Sequence, residues 1–374
     1  MSRLIRYLGL MFALALGTLL VAVFAPDAPA SAPVPQVATT TVALEVASSS
    51  RPAPTSPASE TATTMEAASD KKAPVPTMAA KPVAEAPVPT TVNIPPPTNA
   101  ELDASATLLR SALVNIMCYA TAGTGLHGIS GSGVFVDSKG IIITNAHIAQ
   151  YFLLANRKVS CTIRTGGPAI DTYKAALIYL SPSWIRDNPT VLTQTAAAGT
   201  GQYDFAFLAV TKSATSMALP ASFPAIPLSK ASPIAGMPVV IASYGAQFLE
   251  ASQIRSDLSP IIVFGSIKDI FTFVAKTVDV IVLGGSAAAQ EGSSGGGVAD
   301  GYGSLAGLIT TSSIEGSTDT RSLAGISATY VRAEYERETG SSLDTLLSQP
   351  TTSSIADFAP QMPALEAIIT ANLP

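Results

Sequence analysis

Apolar and polar positions divide this chain into three zones of different character. Residues 8–25 form an apolar run of 18 residues that follows Arg3 and Arg6. Residues 26–100 are rich in Pro, Ala, Thr, Ser and Val, contain no aromatic side chain and show no usable periodicity. Beyond them, short apolar or alternating runs recur between turn residues, a pattern typical of β-strands.

Residues 1–25 are predicted to be a targeting segment. Positive charges before an apolar run predict a cytoplasmic N-terminus and an exported remainder. A run of 18 residues is long for a signal peptide and just long enough to span a membrane. Because Ala28-Pro29-Ala30 is a weak cleavage site, an uncleaved signal anchor is favoured; cleavage would instead give a secreted protein.

Residues 26–100 are predicted to be a disordered linker. Their composition cannot bury enough apolar surface to offset the entropy lost on ordering. If the segment before it stays in the membrane, the linker is a proline-stiffened stalk.

The strand candidates fall into two groups, which predicts two β-barrels within a domain at residues 101–345. A closing helix is expected near 330–338, and residues 346–374 are expected to be a C-terminal tail too short for another domain. The first group is 113–120, 133–137, 141–145, 159–164, 174–180 and 204–210. The second group is 239–243, 261–266, 278–283, 305–310 and 324–331.

Three residues in these groups form a set suited to acyl transfer. His147 follows a strand candidate, Asp204 opens another, and Ser294 lies in Gly-Ser-Ser-Gly-Gly between two apolar runs. A serine hydroxyl is a weak nucleophile that needs an imidazole base, and a buried carboxylate fixes the imidazole tautomer. The order His, Asp, Ser differs from that of α/β-hydrolases and of subtilisin-like enzymes.

Each residue also has a simpler interpretation. Gly-Ser-Ser-Gly-Gly-Gly resembles a flexible linker, Asp204 could be a turn residue, and His147 could be packed at a strand end. The apolar runs on both sides of the glycines and the order of the three motifs favour a catalytic triad. The other histidine, His127, lies among glycines and is assigned no role.

The same segments resemble the trypsin-like, chymotrypsin-fold serine peptidases, and most closely the bacterial HtrA/Deg branch. The resemblance rests on Gly-Ser-Gly-Val-Phe-Val leading to Thr-Asn-Ala-His147, on Asp204-Phe-Ala, on 223–242, and on 286–296. It implies an all-β fold of two six-stranded antiparallel barrels with the active site in the cleft between them. Ser293 and Gly297 depart from the residues common in that family.

The resemblance also assigns further roles. It selects Ser294 rather than the adjacent Ser293 as the nucleophile, because the nucleophile precedes Gly-Gly in the family pattern. The backbone amides of Gly292 and Ser294 would form the oxyanion hole, and the substrates would be polypeptides. The specificity pocket would accept uncharged, small-to-medium apolar side chains, since no carboxylate appears among the residues expected to line it: Ala288, Ala289, Thr310 and Thr311. The C-terminal PDZ domain of many HtrA-type proteins is not expected here.

Two further expectations concern Cys118, Cys161 and Ser293. Cys118 and Cys161 lie on strands that are neighbours in such a barrel, and an exported domain favours a disulfide, with two buried free thiols as the alternative. Ser293 stands where digestive relatives have an Asp that pairs with a new N-terminus. Activation by N-terminal cleavage is therefore not expected.

The sequence thus predicts an exported serine endopeptidase. A catalytically inactive trypsin-fold scaffold or binding module of the cell envelope is the main alternative, and an esterase or acyltransferase is a third. A net charge of −5 without a basic patch predicts no nucleic-acid partner. The chain has no cluster with metal-ligand spacing and no phosphate-binding glycine loop, so no metal and no cofactor are expected.

Overall fold

The first of two β-sheet bodies is a closed six-stranded antiparallel barrel. Its strands are paired in the order β1-β2-β3-β6-β5-β4. Its core is apolar and β-branched or aromatic, with Ile116, Ile142 and Phe207 fully buried. The strands are β1 Leu113–Ala120, β2 Ile129–Asp137, β3 Ile141–Thr144, β4 Val159–Thr165, β5 Ile170–Leu180 and β6 Ala206–Ser213.

This computed structural model describes residues 95–121, 126–194, 200–273, 277–312 and 316–373. The predicted signal segment and nearly all of the predicted linker lie outside the described residues. Within the described ranges, every helix is too short or too polar to cross a lipid bilayer.

A disulfide joins the first and fourth strands of the barrel. Cys118 and Cys161 are directly opposite each other in the β1–β4 register, with their Cα atoms 4.0 Å apart. The predicted pairing of these cysteines is confirmed. The closed loop spans 43 residues and contains His147.

The second body differs from the predicted closed six-stranded barrel. It is a curled seven-stranded sheet in the order β8-β7-β11-β12-β13-β10-β9. Its strands are β7 Pro238–Ser243, β8 Ile261–Ser266, β9 Asp269–Phe271, β10 Val280–Val282, β11 Gly297–Asp300, β12 Leu305–Ser312 and β13 Leu323–Ser327.

The difference arises at a corner between β8 and β9. Ile267 donates its N–H to the carbonyl of Met237, beside β7, whereas Lys268 donates to Val282 in β10. One extended segment thus changes partner within two residues, and its halves become the two edges of the sheet. The ladder of hydrogen bonds is interrupted there, although the chain itself continues from one edge to the other.

Helices pack against both bodies. Among the described residues the longest helix, α1 Asn99–Ala112, begins with a capping box between Thr98 and Glu101. It packs against β7 and β11 of the second body. The other α-helices are α2 Ala146–Ala149, α3 Pro182–Asp187, α4 Ala251–Ser256, α5 Ala328–Thr339, α6 Leu343–Ser348, α7 Thr351–Phe358 and α8 Met362–Thr370.

The C-terminal segment expected to be a tail is helical and packed. Helix α7 lies against β5, and α8 lies against α3. Phe358, Leu365 and Ile369 are buried, because a spacing of seven and then four residues brings them to one side of the helical segment. Residues 346–373 therefore contribute to the core of the domain.

Candidate active site

His147 is placed by the end of strand β3 and the start of helix α2. The strand ends at Thr144, Asn145 occupies the N-cap position, and α2 begins at Ala146. The first N–H groups of a helix have no partner within it. The N–H of His147 donates instead to Oδ1 of Asp204, at 3.0 Å.

The carboxylate of Asp204 uses both oxygens to hold His147. Its Oδ2 accepts from the imidazole Nδ1 at 2.8 Å, while Oδ1 accepts from the backbone of the same residue. The Asp204 side chain is 7% exposed and the His147 side chain 22%. Since a carboxylate acceptor requires Nδ1 to carry the proton, Nε2 is left as the basic nitrogen of a neutral imidazole.

Two further contacts hold the Asp204 turn in place. Asn145 donates from Nδ2 to the backbone carbonyl of Asp204, at 2.8 Å. The preceding residue, Tyr203, has a positive φ of 59°, and its N–H donates to the hydroxyl of Tyr330 in α5. A tyrosine in this backbone region is strained, so surrounding contacts must hold the turn.

Ser294 lies on a loop that touches the first barrel. Its carbonyl accepts from the N–H of Ser132 in β2, at 2.7 Å. The next residue, Gly295, has a φ of 84°, and a Cβ there would lie 2.0 Å from the Ser132 carbonyl oxygen and 2.6 Å from Thr144 Oγ1. Only glycine fits this approach. The backbone of the Ser294 loop is thereby held beside the strand end that leads to His147.

The structure brings His147 and Asp204 into direct contact, but it does not place Ser294 in hydrogen-bond contact with them. Among the hydrogen bonds of the described residues, none joins Ser294 Oγ to His147. In enzymes without bound substrate, such a bond is often long and tightens only when substrate binds.

The peptide groups of Gly292 and Ser294 are each fixed through the carbonyl of the preceding residue. The carbonyl of Glu291 accepts from Ala246 at 2.8 Å, and that of Ser293 accepts from Gly296 at 2.9 Å. In a trans peptide the N–H points opposite to the C=O. Both N–H groups therefore face away from these partners, and neither has an acceptor among the described residues. Such preorganised donors suit a developing oxyanion.

Most of the residues described above lie within one stretch of sequence that matches a known protein family. Residues 131–308 match the family model described as a trypsin-like peptidase domain. This stretch of the chain is therefore similar to trypsin-like peptidase domains. His147, Asp204 and Ser294 all fall inside the matched residues.

Solved structures are similar to this chain at low identity. The Rv3671c protease from M. tuberculosis, in its active form, gives a TM-score of 0.41 at 17% identity, covering 71% of this chain and 96% of that chain. The serine endoprotease from Yersinia pestis gives 0.39 at 18% identity, covering 63% and 65% respectively. No curated protein sequence matches the chain. The family match, rather than these two structures, bears on function.

The residues expected to line a specificity pocket belong to the second β-sheet body. Ala288 and Ala289 are fully buried in an apolar cluster of this body. Thr310 is 7% exposed, and its Oγ1 lies 2.8 Å from where a Cβ on Gly201 would be. Thr311 follows in β12, with a side chain outside the described residues. His127, assigned no role, is exposed.

Sequence reasoning missed residues that hold the segments of the candidate site. Ser132 donates from Oγ to the Gly292 carbonyl at 2.9 Å and accepts from the N–H of Tyr244 at 2.8 Å. Asn145 and Tyr330 support the Asp204 turn. Ser132 and Asn145 lie inside motifs already used to predict the site, so their positions could have indicated a supporting role. No sequence motif marks Tyr330.

Proposed function

We propose that this chain is an exported serine endopeptidase that hydrolyses peptide bonds through His147, Asp204 and Ser294. The observation that carries the proposal is the double attachment of the Asp204 carboxylate to the backbone and ring of His147. A packed strand-end histidine needs no such pairing. The match to a trypsin-like peptidase domain supports the same chemistry.

In the proposed mechanism, Ser294 Oγ attacks the scissile carbonyl carbon as Nε2 of His147 takes its proton. Asp204 holds the imidazole in the required tautomer and stabilises its positive charge. The tetrahedral oxyanion is held by the amides of Gly292 and Ser294. His147 then protonates the leaving amine, and the acyl-enzyme is hydrolysed by water activated at the same imidazole.

The proposed location outside the cytoplasm rests on Arg3, Arg6 and the apolar run that follows. The Cys118–Cys161 disulfide is consistent with an oxidising compartment. In this proposal the N-terminal segment anchors the protein in the membrane, or is removed to release a secreted enzyme. The substrates are polypeptides outside the cytoplasm.

The proposal is tested by labelling the purified protein with a fluorophosphonate probe and measuring its cleavage of an unfolded protein such as reduced casein. Wild-type protein is expected to be labelled and to cleave casein. Ser294→Ala should lose both, and His147→Ala should lose nearly all turnover. Because the two residues act as a unit, the double variant should lose little more.

Two more variants separate the roles of neighbouring groups. Asp204→Asn should fold but lower kcat by about 10⁴-fold, because the amide favours the wrong imidazole tautomer. Ser293→Ala should retain most activity, since Ser293 is 1% exposed and its hydroxyl accepts from Ser243 Oγ at 3.0 Å. Activity that survived in Ser294→Ala but not in Ser293→Ala would contradict the assigned nucleophile.

The same assay distinguishes the alternatives. An inactive scaffold would remain unlabelled and leave casein intact. An esterase or acyltransferase would be labelled and would cleave an ester substrate while leaving casein intact. Either result would overturn the proposed peptidase.

A further inference from the structure

A buried arginine touches the segments around the predicted specificity pocket. Arg321, just before β13, is 5% exposed. Its Nη1 donates to the Ala289 carbonyl at 2.8 Å and to Gln247 Oε1 at 2.6 Å. Its Nε donates to the Gly316 carbonyl at 3.0 Å. One guanidinium thus joins three separate chain segments.

All three acceptors are electrically neutral. Within the described residues, no carboxylate forms an ion pair with Arg321, and its Nη2 donates to no described acceptor. Glu291, the acidic residue of the Ser294 loop, is exposed and does not pair with it. By contrast, Arg332 is paired with Asp344 at 2.8 Å and Arg337 with Glu334.

This pairing pattern has an electrostatic consequence. Arginine stays charged in proteins, so the Arg321 side chain cannot avoid the cost of burial by losing its proton. A buried cation is stabilised by an anionic partner, and arginine presents paired N–H groups that match a carboxylate. A substrate carboxylate that reached Nη2 would supply a negative charge that the described residues do not.

The partners of the guanidinium lie next to the proposed catalytic loop. Ala289 precedes Gly292 by three residues, and Gln247 follows Ala246, whose N–H fixes the Glu291 carbonyl. The ring of Phe248 lies 5.7 Å from Arg321 Cζ and is 64% exposed. The cation therefore lies between the wall of the predicted pocket and an aromatic ring at the surface.

On the basis of the proposed peptidase function, we propose that Arg321 is a specificity-determining residue that selects Asp or Glu at P1, the residue whose carbonyl Ser294 attacks. This differs from the sequence-based expectation of an uncharged apolar side chain, which took no account of Arg321. Ala288 and Ala289 add no competing carboxylate to the pocket wall.

The test measures kcat/KM for peptides that are identical except at P1, which carries Glu, Gln, Asp, Asn, Ala or Lys. Wild-type protein should cleave after Glu and Asp at least ten-fold faster than after the neutral isosteres Gln and Asn. Arg321→Gln keeps a donor of similar shape but removes the charge, so its ratios should fall to about one. Arg321→Lys should retain an acidic preference.

Arg332→Gln is the matched control, because Arg332 is a partly buried arginine whose guanidinium is bound to Leu228, Ser229 and Asp344. It should leave the ratios unchanged. Thermal unfolding verifies that the Arg321 variants are folded, and fluorophosphonate labelling verifies that Ser294 remains reactive. A labelled wild-type enzyme that preferred neutral or basic P1 residues would overturn the role of Arg321, as would a folded, labelled Arg321→Gln variant that kept the acidic preference. Loss of labelling in wild type would instead overturn the proposed peptidase function.

Discussion

The hydroxyl of Ser132 in the first barrel donates a 2.9 Å hydrogen bond to the carbonyl of Gly292, two residues before Ser294. The backbone N–H of the same serine donates to the carbonyl of Ser294. Ser132 is fully buried and accepts in turn from the N–H of Tyr244. One residue of the first body therefore fixes two peptide groups of the loop on the second.

We predict that Ser132→Ala lowers kcat by about 10- to 100-fold with little change in KM, because small displacements of catalytic groups are costly. Two buried polar groups also lose a partner, so the free energy of unfolding should fall by about 1–3 kcal/mol. Steady-state kinetics on a fluorogenic peptide and urea unfolding measure the two effects. Ser130→Ala, on the same strand, is the control and should keep normal kcat. An unchanged kcat in Ser132→Ala would show that the loop holds its geometry without this contact.

Cleavage of the N-terminal region should not be needed for activity. Ser293 has no charge to pair with a new amine, and its hydroxyl is already bound to Ser243 within the second body. A specific protease site inserted at residues 60–70 would allow the full chain and its cleaved form to be compared in the same detergent. Equal kcat is expected before and after cleavage. Activity that appeared only after cleavage would contradict this prediction.

Loss of the disulfide should destabilise the domain. Replacing both Cys118 and Cys161 by Ser should lower the free energy of unfolding by about 2–5 kcal/mol, since the bond restricts a 43-residue loop in the unfolded chain. Urea unfolding of this variant and of wild type, each with and without reductant, measures the loss. Reductant should affect only wild type. Equal stability of the two proteins without reductant would show that the bond contributes nothing.

Asp300 should make stability depend on pH. Burial raises the pKa of its carboxyl above the ordinary value of 3.8, although the N–H groups of Tyr302 and Ser304 oppose the shift. The folded state therefore binds this proton more tightly than the unfolded state, and the stabilising contribution is lost as pH rises from 3.8 through the raised pKa. Both N–H groups donate to Oδ1, which the Asn oxygen can replace. Asp300→Asn should thus gain stability relative to wild type across that interval.

Urea unfolding between pH 3.5 and pH 7 tests the predicted direction of this change in stability. Asp319 provides a control of opposite direction, because a hydrogen bond from Ser317 lowers the pKa of its exposed carboxyl. Its contribution to stability is present above pH 3.8 and lost as pH falls, so Asp319→Asn should lose stability relative to wild type as pH rises. Parallel pH curves for wild type and Asp300→Asn would refute the role assigned to Asp300.

Local sequence patterns predicted most strands, but they missed strands that form only because a neighbouring strand pairs with them. The bounds expected for β1 and β8 agree with the structure. Strand β11 was missed because Gly297 extends a run of glycines, and β9 because it has only three residues. The strand expected at 324–331 ends at Ser327, whose hydroxyl caps helix α5 by accepting from Tyr330.

The candidate site likewise contains residues that the sequence predicted and contacts that it did not. The order of the motifs singled out His147 and Asp204, which lie 2.8 Å apart in the structure. Nothing local indicated that Arg321 contacts Gln247, a residue 74 positions away. Such contacts depend on which loops meet after the second body has folded, and one sequence contains no periodic or capping signal for them.

The contact between Tyr203 and Tyr330 has a consequence for the order in which the candidate site is completed during synthesis. The two residues are 127 positions apart, and Arg337 also lies over the Tyr203 ring. A growing chain makes His147, Asp204 and Ser294 before it makes the helix that steadies the Asp204 turn. The Asp204 turn therefore gains this support only after the α5 segment has been made, so under the proposed function a chain that stops before Tyr330 should lack full activity.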